Sequence, residues 1–164
     1  MGAISDEEIN KVVEKKSVLF VCTGNTCRSV IAEALLKKML RDNHRDDVEV
    51  FSAGVSAISG ASASQSAKDI LAREGINVSA HLSRETTREM LQKSDLILVM
   101  ERVHESAILK LAPEVKNRVF LLKEFAKIDE NNLDIEDPMG KSTEFYEKTF
   151  ASIKEALERV SKLI

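Results

Sequence analysis

Cys22 and Arg28 lie six positions apart in Cys22-Thr-Gly-Asn-Thr-Cys-Arg28-Ser29, and together they supply a nucleophile and a cation shaped for phosphate. A thiolate is a strong nucleophile at neutral pH. A guanidinium presents a planar fork that matches two phosphate oxygens. The stretch between them, Thr23, Gly24, Asn25, Thr26 and Cys27, is short and polar, and such a loop running into a helix can aim several backbone N–H groups at one anion. The positive end of the helix dipole adds to the same field and favours a thiolate at Cys22. Gly24 and Asn25 are residue types that tolerate a left-handed backbone. The chemistry implied is displacement at phosphorus. The alternatives are a buried structural cysteine or a metal site. Cys22 and Cys27 are the only cysteines, and His44, His81 and His104 are scattered without metal-ligand spacing, so no metal or other cofactor is called for.

The flanking pattern puts this loop where such chemistry needs it. Ser17-Val-Leu-Phe-Val21 is an apolar run, as expected of a strand covered on both faces. After the loop, Ile31, Leu35, Leu36, Met39 and Leu40 recur with helical spacing. Further strands are predicted at Val48–Phe51, Asp95–Met100 and Arg118–Leu122. Helices are predicted before Gly75, over Thr87–Lys93, over Glu101–Leu111 and over Ser142–Ile164. Residues 57–66, rich in Ala, Ser and Gly, read as a loop. Strands alternating with helices imply an α/β fold, a doubly wound sheet of four parallel strands with flanking helices. Ligands of such sheets bind at the carboxyl ends of the strands, where the Cys22 loop lies. Ser5-Asp-Glu-Glu8 reads as a capping box opening an extra N-terminal helix over residues 1–16, ahead of a domain over 17–164.

Composition bounds the partners. The 164-residue chain is 43% hydrophobic and 31% charged with a net charge of −3. That balance favours neither nucleic acid nor an anionic membrane, and no apolar run reaches a membrane span. Met1-Gly-Ala-Ile-Ser-Asp-Glu-Glu8 is acidic where a signal peptide is basic and then apolar, so a cytoplasmic protein is expected. In a reducing compartment Cys22 and Cys27 suggest reactivity or redox switching more than a structural bridge. A thiol five positions from a reactive one could trap its sulfenic acid as a disulfide.

Breaking an ester or amidate at phosphorus leaves a basic group that needs a proton. Asp137 is the candidate donor. Pro138 stiffens its turn, and the Asn131–Gly140 loop follows the last predicted strand, within reach of the same sheet edge. A turn aspartate without catalytic role is the alternative. Gly140-Lys-Ser-Thr does not complete a nucleotide-binding loop, because the glycine required five residues earlier is Ile135. Ser142 reads instead as a helix cap.

Val18-Leu-Phe-Val-Cys-Thr-Gly-Asn-Thr-Cys-Arg-Ser29, followed by Ile31-Ala-Glu-Ala34, resembles the signature of the low-molecular-weight protein tyrosine phosphatases. Ser52-Ala-Gly54, Val78-Ser-Ala-His81, Ser94–Met100 and Asp137-Pro-Met-Gly140 resemble further motifs of that family, in its order. The resemblance runs from about Ser17 to the C-terminus. It implies a phosphocysteine at Cys22, phosphate held by Arg28, and Asp137 as general acid and then general base. It also implies that Asn25, Ser29, Ser52 and His81 hold the loop. The partner implied is a phosphorylated protein, with inorganic phosphate as product.

The sequence departs from the family at Val30, where proline is usual, and at the rim, where tyrosine-directed members carry bulky residues and a tyrosine pair after Asp-Pro. Here stand Thr23, Thr26 and Met139. Thr26, the Asp-Pro-x-Gly turn and Tyr146 resemble the bacterial subgroup that dephosphorylates arginine in proteins. Thr26 and Met139 are therefore the candidate specificity residues, and phosphoarginine the favoured substrate. Thr26 as a plain β-branched filler leaves a tyrosine phosphatase. A thiol-dependent arsenate reductase needs a further cysteine downstream of Cys27, which the chain lacks. A non-catalytic anion-sensing module would need neither nucleophile nor acid.

Overall fold

The computed structural model describes residues 15–164. Its centre is a four-stranded, wholly parallel sheet of order β2-β1-β3-β4. The strands are β1 (Lys16–Cys22), β2 (Val48–Gly54), β3 (Leu96–Val99) and β4 (Val119–Leu121). The helices are α1 (Arg28–Asp42), α2 (Gln65–Ala72), α3 (Arg88–Lys93), α4 (Arg102–Leu111), α5 (Leu122–Phe125) and α6 (Thr143–Leu163), with a 3₁₀ turn at Pro113–Arg118.

Strand periodicity sorts the core into two layers. Val18, Phe20, Leu96 and Leu98 face one side, where they meet Ile31, Leu35 and Leu36 of α1 and Ile153, Leu157 and Val160 of α6. Leu19, Val21, Ile97 and Val99 face the other, against Leu91 of α3 and Ile108 of α4. Covered on both faces, β1 and β3 must be apolar throughout, which is why they read as unbroken runs. The chain leaves β1 for β2 on one side and later returns to β3 on the other. The carboxyl end of β1 is thus the topological switch point, the usual ligand crevice of an open α/β sheet.

The predicted strands stand in place with shifted ends. Strand β2 continues through Ser52, Ala53 and Gly54, all paired with β1. Leu122 leaves the fourth strand to begin α5. The 3₁₀ turn and α5 are too short to carry a readable period. The expected helix over residues 1–16 lies outside the described residues apart from its end, where Lys16 is already the first residue of β1. Helix starts follow their caps: Ser64, Thr87 and Ser142 each accept a backbone N–H of the first turn. Gly75, at φ +75°, follows α2 as expected of a C-terminal stop.

Candidate active site

The loop between β1 and α1 is held by its carbonyl groups. Cys22 O accepts from Val55 N–H at 3.0 Å, Thr23 O from Ser56 N–H at 2.9 Å, Thr26 O from Ser64 N–H at 2.8 Å and Cys27 O from Ile31 N–H at 2.9 Å. Asn25 O faces His81 Nε2 at 2.8 Å, and since a carbonyl only accepts, that ring nitrogen carries the proton. A trans peptide points its N–H opposite its C=O. With these carbonyls tied to their partners, the N–H groups of the same peptides are left on the opposite side of the loop, the arrangement that an anion-binding nest needs.

Asn25 bears the strain of the curl. Its φ is +55°, its side chain is fully buried, and every polar atom of that side chain is used. Nδ2 donates to Ser29 Oγ and to Ser52 Oγ, both at 2.9 Å, and Oδ1 accepts from Arg84 N–H at 3.0 Å. Ser52 Oγ in turn donates to Glu33. Ser29 Oγ lies 2.9 Å from Cys22 Sγ. Because Ser29 accepts from Asn25, its own proton is free to donate to the sulfur. Gly24 does not take the left-handed backbone, and a Cβ there would make only an ordinary contact with Thr26 Oγ1 at 3.7 Å. The glycine that the loop does require is Gly54 on β2. A Cβ at Gly54 would come within 2.4 Å of Thr23 O and 2.9 Å of Asn25 N.

Arg28, the first residue of α1, is only 2% exposed, so its charge needs partners. Nη1 donates to Ile135 O at 2.7 Å and to the Glu101 carboxylate. Nη2 lies 3.4 Å from Thr23 Oγ1 and 3.8 Å from Asp137 Oδ2. Glu101 sits just past β3 and caps α4. Its N–H donates to His104 Nδ1 at 3.0 Å, while His104 Nε2 lies 2.9 Å from Thr23 Oγ1. His104 is fully buried. Burial first, and the Arg28 charge second, push its pKa down to about 4.

The Asp137 loop is docked on the same edge. Ile135 N–H donates to Met100 O at 2.8 Å and Arg102 N–H to Asp134 Oδ1 at 2.9 Å. Asp137 Oδ1 accepts from Met139 N–H at 3.0 Å, an Asx turn that fixes the carboxylate. Lys141 N–H closes the following turn onto Pro138 O with Gly140 at φ +78°, the left-handed third position of a type II turn. The Asp137 side chain stays 45% exposed, open to a leaving group and to water.

Cys27 is buried against α6. Its Sγ lies 2.6 Å from Tyr146 Oη of α6, which also lies 3.2 Å from Ser64 Oγ. Burial pushes the Cys27 thiol up to about 11, and burial also raises Tyr146, with the bond to Cys27 adding to it. Both cysteines are free and buried.

The structure therefore gathers Cys22, Arg28, Asp137, Asn25, Ser29, Ser52 and His81 into one connected site. Thr26 is half-buried, and among the described residues its hydroxyl makes no hydrogen bond; Met139 is exposed beside Asp137. Val30 is buried in the core at the first turn of α1. Sequence reasoning missed Glu101, His104, Arg84 and Glu33. The available signal was Met100-Glu-x-x-His104 at the carboxyl end of a parallel strand, where a polar pair one helical turn apart signals a cap or a site. A sulfur under a nest of amides, a buried guanidinium and an exposed carboxylate can bind a phosphoryl group, attack it and protonate what leaves.

Comparison with known proteins agrees. The model of the family "Low molecular weight phosphotyrosine protein phosphatase" matches residues 17–164. The Protein-arginine-phosphatase of Geobacillus stearothermophilus is 37% identical over 145 residues, covering 88% of this chain and 93% of that one. The low molecular weight protein-tyrosine-phosphatase Etp of Escherichia coli K12 is 36% identical over 146 residues, covering 89% and 93%. Among solved structures, a YwlE arginine phosphatase variant with a phosphorylated active-site serine superposes with a TM-score of 0.83 at 34% identity, covering 90% of this chain and 94% of that one. A low molecular weight protein tyrosine phosphatase from T. tengcongensis gives 0.84 at 35% identity, covering 92% and 100%. Loop, sheet edge and acid thus fall in one frame across nearly the whole described chain, which belongs to the low-molecular-weight phosphotyrosine protein phosphatase family.

Proposed function

We propose that this protein phosphatase hydrolyses phosphoarginine in proteins through a phosphocysteine on Cys22. The Cys22 thiolate attacks phosphorus, the P–N bond breaks, and its electron pair stays on the departing guanidine nitrogen. Asp137 protonates that nitrogen. Arg28 and the inward amides hold the equatorial oxygens, whose charge develops as the phosphoryl group transfers. Water then attacks the phosphocysteine and gives its proton to Asp137, the S–P bond breaks, and inorganic phosphate leaves. Ser29 donates to the sulfur when it is the thiolate, both before attack and after release. The phosphorylated serine in the YwlE active site supports transfer of the phosphoryl group to a protein side chain.

The observation that carries the arginine reading is the polar rim. Thr23 and Thr26 bring hydroxyls, Asp137 stands exposed to pair with a guanidinium, and Met139 occupies the place after Asp-Pro. An aromatic ring would find little matching surface there. Phosphotyrosine is the second reading, favoured by the tyrosine-phosphatase relatives. The test is kcat/KM on two peptides of equal sequence bearing phosphoarginine or phosphotyrosine, with Cys22→Ser as control. A preference for phosphoarginine is expected, as is loss of turnover with retained vanadate binding in the control. A preference for phosphotyrosine overturns the substrate assignment, and residual turnover in Cys22→Ser overturns the nucleophile.

A further inference from the structure

Glu101, Thr23 and Arg28 meet around one buried ring, and the hydrogen-bond directions around that ring are fully determined. Glu101 N–H can only donate, so His104 Nδ1, at 3.0 Å, is the acceptor and bears no proton. Nε2 of the neutral ring then carries the proton and donates to Thr23 Oγ1 at 2.9 Å. Arg28 Nη2 approaches the same oxygen at 3.4 Å. A hydroxyl oxygen has two lone pairs. With both directed at donors, the only valence left to Thr23 is its own O–H, on an exposed residue at the mouth of the cup. Phosphoryl oxygens accept and do not donate.

We propose that His104 is a positioning residue for phosphoryl transfer: it turns the Thr23 hydroxyl into a fixed donor toward the phosphoryl group and holds Glu101 against Arg28. The inference rests on the Cys22 cup as the reaction site. His104 reaches the guanidinium from both ends, since Glu101 takes Nη1 and Thr23 lies at Nη2. It does no proton transfer itself. The other tautomer, or the cation, would set two N–H groups face to face at the start of α4. Burial and the nearby Arg28 charge disfavour the cation in any case. A donor set before the reaction costs no reorganisation during it.

Two amide variants separate the ring's two nitrogens. Asn places its side-chain oxygen near Nδ1 and keeps the cap but cannot reach Thr23. Gln places an N–H near Nε2 and keeps the bond to Thr23. His104→Asn should lower kcat by roughly 10²-fold with little change in KM, the lower end of the scale for one preorganised donor in the transition state. His104→Gln should recover most of that loss. Thr23→Val should match His104→Asn, and the double variant should lose no more than either alone. Thr23 is exposed and valine matches its shape, so its variant should fold at the cost of one unpaired His104 N–H. The ¹⁵N spectrum of the histidine ring should show Nε2 protonated and Nδ1 bare, unchanged on binding vanadate. Wild-type kcat in Thr23→Val, multiplicative losses in the double variant, or a ring protonated on Nδ1 would each overturn the proposal. None of these would touch the assignment of Cys22, which the Cys22→Ser control tests separately.

Discussion

Side chains that carry charge or electrons at the reacting atoms announce themselves by type. Cys22, Arg28 and Asp137, the residues proposed to attack, to hold phosphate and to move the proton, stood out in the sequence because few other residue types can do that chemistry. Glu101 and His104 were not, because their role is to face Arg28 and Thr23 across a gap in sequence that only the β1–β3 pairing closes. Asp137→Asn should slow a substrate with a basic leaving group by roughly 10²–10⁴-fold. A substrate whose leaving group needs no proton should keep most of its rate in the phosphorylation of Cys22. Single-turnover measurement on both substrates decides it, since equal losses would place the acid elsewhere. Thr26 tests selectivity. Thr26→Ile keeps β-branching, so the loop is hardly strained, but it exchanges a hydroxyl for apolar surface. The ratio of kcat/KM for phosphoarginine over phosphotyrosine should fall by an amount equivalent to roughly 1–3 kcal/mol. An unchanged ratio would make Thr26 a filler and put phosphotyrosine first.

The elements that were legible are the ones whose environment repeats along them. β1 and β3 are covered on both faces, and α1 and α6 bury a stripe, so hydrophobic spacing marks them. Of Gly24 and Asn25, both read as tolerant of a left-handed backbone, Asn25 takes it and Gly24 does not, while the empty Cβ position that matters belongs to Gly54 on the neighbouring strand. Close approach between segments distant in sequence leaves no local trace. Gly54→Ala should therefore push the loop off β2. A loss of about 1–3 kcal/mol in stability is expected from such overpacking, together with a fall in kcat/KM from a displaced nest. Thermal unfolding and steady-state kinetics measure the two. Wild-type values for both would mean that the strand gives way and the loop does not.

Across the whole molecule, the doubly wound topology collects β1, β3 and the Asp137 loop at one switch point, so a folding defect anywhere along that edge reaches the site. Acid should expose this linkage through His104. Facing its ring are Arg28 from α1, Thr23 and Glu101 from the strand ends, and Asp134 and Asp137 from the loop before α6. Its pKa falls from 6.5 in the open chain to about 4 in the fold. The unfolded chain thus binds a proton that the folded one refuses between those limits. Stability from this group is complete above about pH 6.5 and is lost as pH falls toward about 4, by about 3 kcal/mol in total. Urea unfolding of wild type and His104→Asn across that range isolates the contribution, since the variant should lack that part of the slope. Equal slopes would mean that the ring is protonated as easily in the fold as in water. The parallel sheet and its order of helices were legible at this scale because alternation is a global pattern. The packing of α6 against the loop was not, although Tyr146 reaches Cys27 there at 2.6 Å. That contact orders events during synthesis. Asp137 and Tyr146 both stand far downstream of the cysteines and leave the ribosome well after them. Until they emerge, Cys27 lacks the phenol that covers it in the fold and Cys22 lacks the carboxylate proposed as its acid, so a ribosome-bound chain should react with a thiol reagent at both sulfurs faster than the finished protein does.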